Sequence, residues 1–141
     1  MTPETRARRS AEAMWADDPA SQALGMTLTD IAPGRAVITM PVRADMSNGH
    51  GICHGGFIFT LADSAFAFAC NSYNQRVVAQ HNSITYLAPG QLGECLTATA
   101  TETSRTGRSG IYDVVVTGGD GRQVALFRGH SRQIKGTHFE E

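Results

Sequence analysis

Chemistry concentrates between Asn48 and Asn71. An acid, Asp63, stands eight residues beyond Gly55 in a segment from Phe57 to Cys70 whose only polar side chains are Thr60, Asp63 and Ser64. A helix apolar on nearly every side is a buried one. Asp63 has Phe59, Thr60, Phe66 and Ala67 as its helical neighbours, so no local cation pairs with it. Burying such a carboxylate costs free energy and calls for a reason. Gly55 and Gly56 open the helix, where the first N–H groups lack intrahelical acceptors and the dipole presents its positive end. That end suits the oxyanion formed when water or a carboxylate attacks an acyl carbon. With no side chain, Gly55 lets a carbonyl approach its amide. Eight residues of helix span about 12 Å, so Gly55 and Asp63 of one chain cannot both meet one carbonyl. Two antiparallel copies of the helix across a two-fold axis would set Gly55 of one beside Asp63 of the other. The site then requires a dimer.

Other residues have plainer readings. Asn48-Gly49 is first of all a turn, and Gly55-Gly56 also allows close packing. His50, Cys53 and His54 invite a metal, with Asp63 or His81 as a fourth ligand, but their spacing fits no common zinc pattern and no metal is expected. A Cys53 nucleophile is disfavoured because neighbouring loop side chains rarely converge. Cys70 and Cys95 read as small core residues. An anionic substrate would find Arg105 and Arg108, flanking Gly107 in an expected turn over 104–108, with Arg128, Arg132 and Lys135 behind them. The alternative is a set of solvated surface charges. Phe59 and Phe66, each about one turn from Asp63, are the candidates for an apolar slot.

These residues need an element to hold them. A chain of 141 residues suffices for one domain, 1–141, with a substantial core. A formal net charge of −1 leaves no electrostatic footprint for nucleic acid or an acidic membrane. No apolar run is long enough to span a bilayer, and the first residues lack the apolar core of a signal peptide. Three cysteines with no metal-type pairing suggest reduced thiols and a cytoplasmic setting.

Thr2-Pro3-Glu4 starts a helix that runs to about Asp17, and Asp18-Pro19 opens a short second one closed by Gly25. Strands are expected over 26–32 and 36–42, joined at Pro33-Gly34-Arg35. After the long helix come strands over 77–87, 94–103, 110–117 and 123–134, and a frayed tail from Lys135. In 94–103, Leu96, Ala98 and Ala100 alternate with Thr97, Thr99 and Thr101, the pattern of a half-buried strand. One long buried helix and five or six mostly antiparallel strands make an α+β fold, a curved sheet wrapped around the helix. Its open edge could pair with a second subunit.

The run Asn48-Gly49-His50-Gly51-Ile52-Cys53-His54-Gly55-Gly56, the following Leu61-Ala62-Asp63-Ser64-Ala65-Phe66-Ala67, and Ala69-Cys70-Asn71-Ser72 resemble hotdog-fold acyl-CoA thioesterases of the phenylacetate-degradation (PaaI) type. The resemblance extends through 92–100 and 124–131, so it covers nearly the whole chain. It implies the hotdog fold, a homodimer with shared active sites assembled into a dimer of dimers, and metal-free hydrolysis of aromatic acyl-CoA thioesters. No cofactor is implied, because coenzyme A is part of the substrate. Carried over by residue, Gly55 polarises the thioester carbonyl and Asp63 of the partner attacks it or activates water. Asn48 stands near the water or the carbonyl, and His54 supports the start of the helix. The chain departs from the pattern at Ala88, where related sequences often carry a basic residue before the proline. Hydratase chemistry on the same fold would lean on His54, and a pure acyl-CoA binder would have little use for Asp63.

Overall fold

The computed structural model describes residues 1–141. Helix α1 (Pro3–Ala16) is capped by the Thr2 hydroxyl, which accepts from Thr5 N–H, and α2 (Pro19–Ala23) by Asp18. Strands β1 (Thr27–Ala32) and β2 (Arg35–Pro41) form a hairpin whose turn places Gly34 at φ +71°. After one turn of 3-10 helix over Ala44–Met46, helix α3 spans Gly55–Cys70. The remaining strands are β3 (Val77–Tyr86), β4 (Cys95–Thr106), β5 (Ser109–Thr117) and β6 (Gln123–Gln133).

All six strands form one sheet in the order β1-β2-β4-β5-β6-β3, and each neighbouring pair is antiparallel. The expected alternation in β4 holds: Leu96, Ala98 and Ala100 are fully buried. They face α3, which packs against β2, β4 and β5 and more lightly against β3 and β6. Two further contacts fix the depth of α3. Phe66 lies so close to β6 that a Cβ on Gly129 would stand 2.6 Å from its ring. Only glycine fits there. Ser64, on another side of α3, meets the Ser21 hydroxyl of α2 at 3.0 Å.

The sheet has two edges. α1 packs against β1, whereas β3 borders only β6 and leaves its other side unpaired within the chain. Val78, Tyr86 and Leu87, on or just beyond that strand, are each close to half exposed.

Three expectations need correction. Ser104–Thr106 continue β4, so the turn shrinks to Gly107 and Arg108, with Gly107 at φ +61°. Pairing of Ser104, Arg105 and Thr106 with Ile111, Gly110 and Ser109 stabilises the longer strand. Cys95 is exposed, because the alternation that buries Leu96 turns it outward. The C-terminal tail is docked, not frayed. Asn74, buried and at φ 57°, accepts from His138 N–H and donates to the Phe139 carbonyl. Arg76 donates to the Thr137 carbonyl, Arg9 covers the Phe139 ring, and Arg6 pairs with Glu141.

Candidate active site

The start of α3 is built by the loop before it. Asn48 Oδ1 accepts from His50 N–H at 2.9 Å, and Asn48 N–H bonds the Ile52 carbonyl. The turn reading of Asn48-Gly49 therefore holds. Its Nδ2 has no partner in the chain, so the half-buried side chain still has donors to offer. His54 is the N-cap: Nδ1 accepts from Gly56 N–H at 2.9 Å, and its carbonyl accepts from Phe57 N–H. Accepting at Nδ1 requires the proton on Nε2.

The cap separates the two glycines. Gly56 N–H is spent on His54, whereas Gly55 N–H has no acceptor in the chain. Gly55 is thus the unsatisfied donor at the positive end of a 16-residue helix. Tyr86 Oη donates to the Gly55 carbonyl at 2.9 Å, and its ring would lie 3.1 Å from a Cβ placed there. A cleft of about 300 Å³ opens at this point, lined by Asn48, Gly55, Tyr86 and the apolar Ile52, Ile58 and Leu87. A larger cavity of about 590 Å³ lies between α1 and β1, among Trp15, Met26 and Leu28. It contains none of the residues singled out for chemistry, so the smaller cleft is the better candidate.

The loop at the far wall of the cleft is held by an ion pair the sequence did not expose. Arg122 donates to both carboxylate oxygens of Glu94 and to the Pro89 carbonyl, while Glu94 also accepts from Gln91 and Gly119 N–H. The Arg122 guanidinium, chiefly, holds the Glu94 carboxyl down at about 2. Ala88 lines the cleft with no charge of its own.

Asp63 lies two turns farther along α3 and does not line this cleft. The other polar side chains of the helix are satisfied, Thr60 by the Gly56 carbonyl and Ser64 by Ser21. Asp63 has one partner, Asn82 Nδ2 at 3.1 Å. Burial pushes its carboxyl above the ordinary carboxylate range, and the Asn82 bond pulls it partway back. Asn82 escaped the sequence reading. Its signal was an amide in the same alternation as the inward Ile84 of β3.

The other candidates divide. Phe59, half-buried and one turn before Asp63, stands edge-on to Phe127 with ring centroids 5.4 Å apart, and it remains available as a wall. Phe66 is corrected: it is 1% exposed and packed between Tyr112 and Phe127, a core residue and not a pocket wall. Arg105, Gly107 and Arg108 gather beyond the opposite end of α3, beside Cys70, Gln75 and Val77. Arg105 stacks over Tyr73, 3.7 Å from the ring centroid, while the Arg108 side chain makes no ion pair. No three His, Cys, Asp or Glu side chains gather as metal ligands would.

A long helix cupped in a six-stranded antiparallel sheet is the hotdog fold, and the chain belongs to the thioesterase superfamily, whose family model matches residues 50–125. The acyl-coenzyme A thioesterase PaaI of Escherichia coli K12 is 45% identical over 132 residues, 94% of each chain. The solved structure of the E. coli PaaI protein, from the phenylacetic acid degradation operon, superposes with a TM-score of 0.95 over 96% of this chain and 99% of that one, at 43% identity. A hypothetical thioesterase of Streptococcus pneumoniae TIGR4, solved with coenzyme A, gives 0.75 at 27% identity over 79% of this chain and 90% of its own.

Proposed function

We propose that the protein is a cytoplasmic acyl-CoA thioesterase that hydrolyses phenylacetyl-type aromatic thioesters, ring-hydroxylated ones included, to free acid and coenzyme A during phenylacetate breakdown. The observation that carries this reading is the contrast between the two glycines. His54 occupies Gly56 N–H and leaves Gly55 N–H open, beside an apolar cleft, in a chain that also buries an under-partnered acid eight residues on. The likeness to an acyl-CoA thioesterase and to a coenzyme A complex supports the substrate class.

The acid reaches the carbonyl from a second subunit. The free β3 edge and its half-exposed Val78, Tyr86 and Leu87 suit antiparallel pairing with the same strand of a partner. That pairing sets the two α3 helices antiparallel, and two such dimers form the tetramer. The thioester carbonyl accepts from Gly55 N–H of one subunit. Asp63 of the other either takes a proton from an attacking water or attacks the carbonyl carbon itself. The carbon–sulfur bond breaks as the oxyanion collapses, and the thiolate leaves as coenzyme A; on the second route water then hydrolyses the acyl–Asp63 anhydride, releasing the acid and restoring the carboxylate. Phe59 and the cleft residues hold the aromatic acyl group, and Arg105 and Arg108 meet the phosphates. No further cofactor takes part.

Thiol release from phenylacetyl-CoA and a hydroxyphenylacetyl-CoA, measured on the wild type and Asp63→Asn, tests this. The wild type is expected to turn over and the variant to lose most of its kcat while still binding coenzyme A. Equal turnover in both, or saturable binding without turnover in the wild type, refutes the reading. In a single turnover in ¹⁸O water, label in the Asp63 carboxylate identifies direct attack with the anhydride opened at the aspartyl carbon, since a general-base route labels only the product acid.

A further inference from the structure

Asn82 lies on the inward face of β3, paired with Gly129 of β6. Its Nδ2 bond to Asp63 Oδ1 is the only hydrogen bond that either side chain makes within the chain. The amide oxygen, Asn82 Oδ1, is buried without a partner. Ser10 Oγ is the one other buried side-chain atom in that condition. An orphaned buried acceptor destabilises a fold, and an apolar residue of the same shape would not incur that loss. Packing therefore does not account for an amide here. Its one favourable contact is with the acid.

We propose that Asn82 is a positioning residue for thioester hydrolysis: its amide N–H fixes Oδ1 of Asp63 and leaves Oδ2 as the reacting oxygen. The inference rests on Asp63 being the catalytic acid. A carboxylate free to rotate would present either oxygen, and a misplacement of about 1 Å at a reacting atom costs on the order of a hundredfold in rate. The same N–H stabilises the charged form against burial. Little else in the chain acts on that charge. On α3 the buried Cys70 thiol lies within range of the Asp63 field. The inward residues of β6 nearby are Phe127, Gly129 and Ser131, all uncharged. His81 and His130 meet edge to face, 5.5 Å between ring centroids, on the outward alternation of β3 and β6. Tyr86 is occupied with the Gly55 carbonyl.

Asn82→Leu and the smaller Asn82→Ala test this in the full-length protein beside Asp63→Asn, with elution volume checked for an unchanged oligomer. Asn82→Leu removes the orphaned acceptor but also takes from Asp63 its one partner, so the two effects oppose and it is expected to unfold near the parent temperature. Both Asn82 variants are expected to lose roughly tenfold to a hundredfold in kcat with KM within about twofold. The acid limb of kcat/KM should move to higher pH in both. An unchanged kcat and an unmoved acid limb, with Asp63→Asn inactive, overturn the positioning role. So does a lower kcat that comes with reduced stability and an unmoved acid limb. An active Asp63→Asn overturns instead the catalytic reading on which the inference rests.

Discussion

Proline at position 55 removes one N–H and little else. Gly55 is the first residue of α3, the helical position where proline's missing donor and fixed φ are best tolerated. His54, at φ −61° and ψ 132°, already has the extended backbone that a following proline demands. The Gly55 N–H makes no bond in the chain, so no internal hydrogen bond is lost with it. The added Cβ would stand 3.1 Å from Tyr86, so that ring must give by a few tenths of an ångström. Losing the Tyr86 bond to the Gly55 carbonyl would cost roughly 1 kcal/mol. Restricting the unfolded chain returns about 0.4–1 kcal/mol. Gly55→Pro should therefore unfold within about 4 °C of the parent. Activity should respond very differently. Loss of one oxyanion donor lowers kcat by about 10²–10³-fold, roughly 3–4 kcal/mol of transition-state stabilisation. Gly55→Ala is the control, since it carries the same Cβ but keeps the N–H. Thiol release from phenylacetyl-CoA and thermal unfolding on all three proteins complete the experiment. A Gly55→Pro enzyme that turns over as fast as Gly55→Ala refutes the assignment of Gly55 N–H as the oxyanion donor.

Asp63→Asn should gain stability at neutral pH. Burial raises the folded carboxyl, so the native state keeps a proton that the unfolded chain sheds, and stability falls as pH rises from about 3.8 through the raised folded value. Chemical denaturation at pH 4 and pH 7 should show the variant's advantage growing with pH. Glu94→Gln should behave oppositely. Its carboxylate contributes fully above about 4.5 and loses that contribution as pH falls toward about 2. The substitution should cost about 2 kcal/mol at pH 7 and less in acid, read from denaturant midpoints. Arg108→Ala should raise KM for coenzyme A thioesters roughly tenfold with kcat unchanged, by removing a cation that no carboxylate of the chain engages. Steady-state kinetics at low and high salt would show that difference shrinking with ionic strength.

The helix, its burial and the eight-residue spacing of Gly55 and Asp63 were legible in the amino-acid sequence. Those features are local: glycines at a helix start, an apolar run of helical length and one acid inside it are all read from neighbours in the chain. The alternation of β4 and the hairpin at Gly34 were legible for the same reason, since strand period and turn chemistry span only a few residues. Which helical N–H stays open was not legible there, because it depends on the His54 ring folding back onto Gly56 and not Gly55. The placement of Phe66 was likewise decided by the space above Gly129, 63 residues away. Asn82 reaches Asp63 across 19 residues of chain and Tyr86 reaches Gly55 across 31, while Glu94 and Arg122, which brace the loop beside the cleft, are 28 residues apart. The docking of the tail has no local signature, because its anchor, Asn74, is an ordinary polar residue until its left-handed backbone turns the amide toward Phe139. Local patterning therefore specified the elements and the candidate groups, whereas long-range packing chose the partner of each group and hence which of them keep an open donor or acceptor.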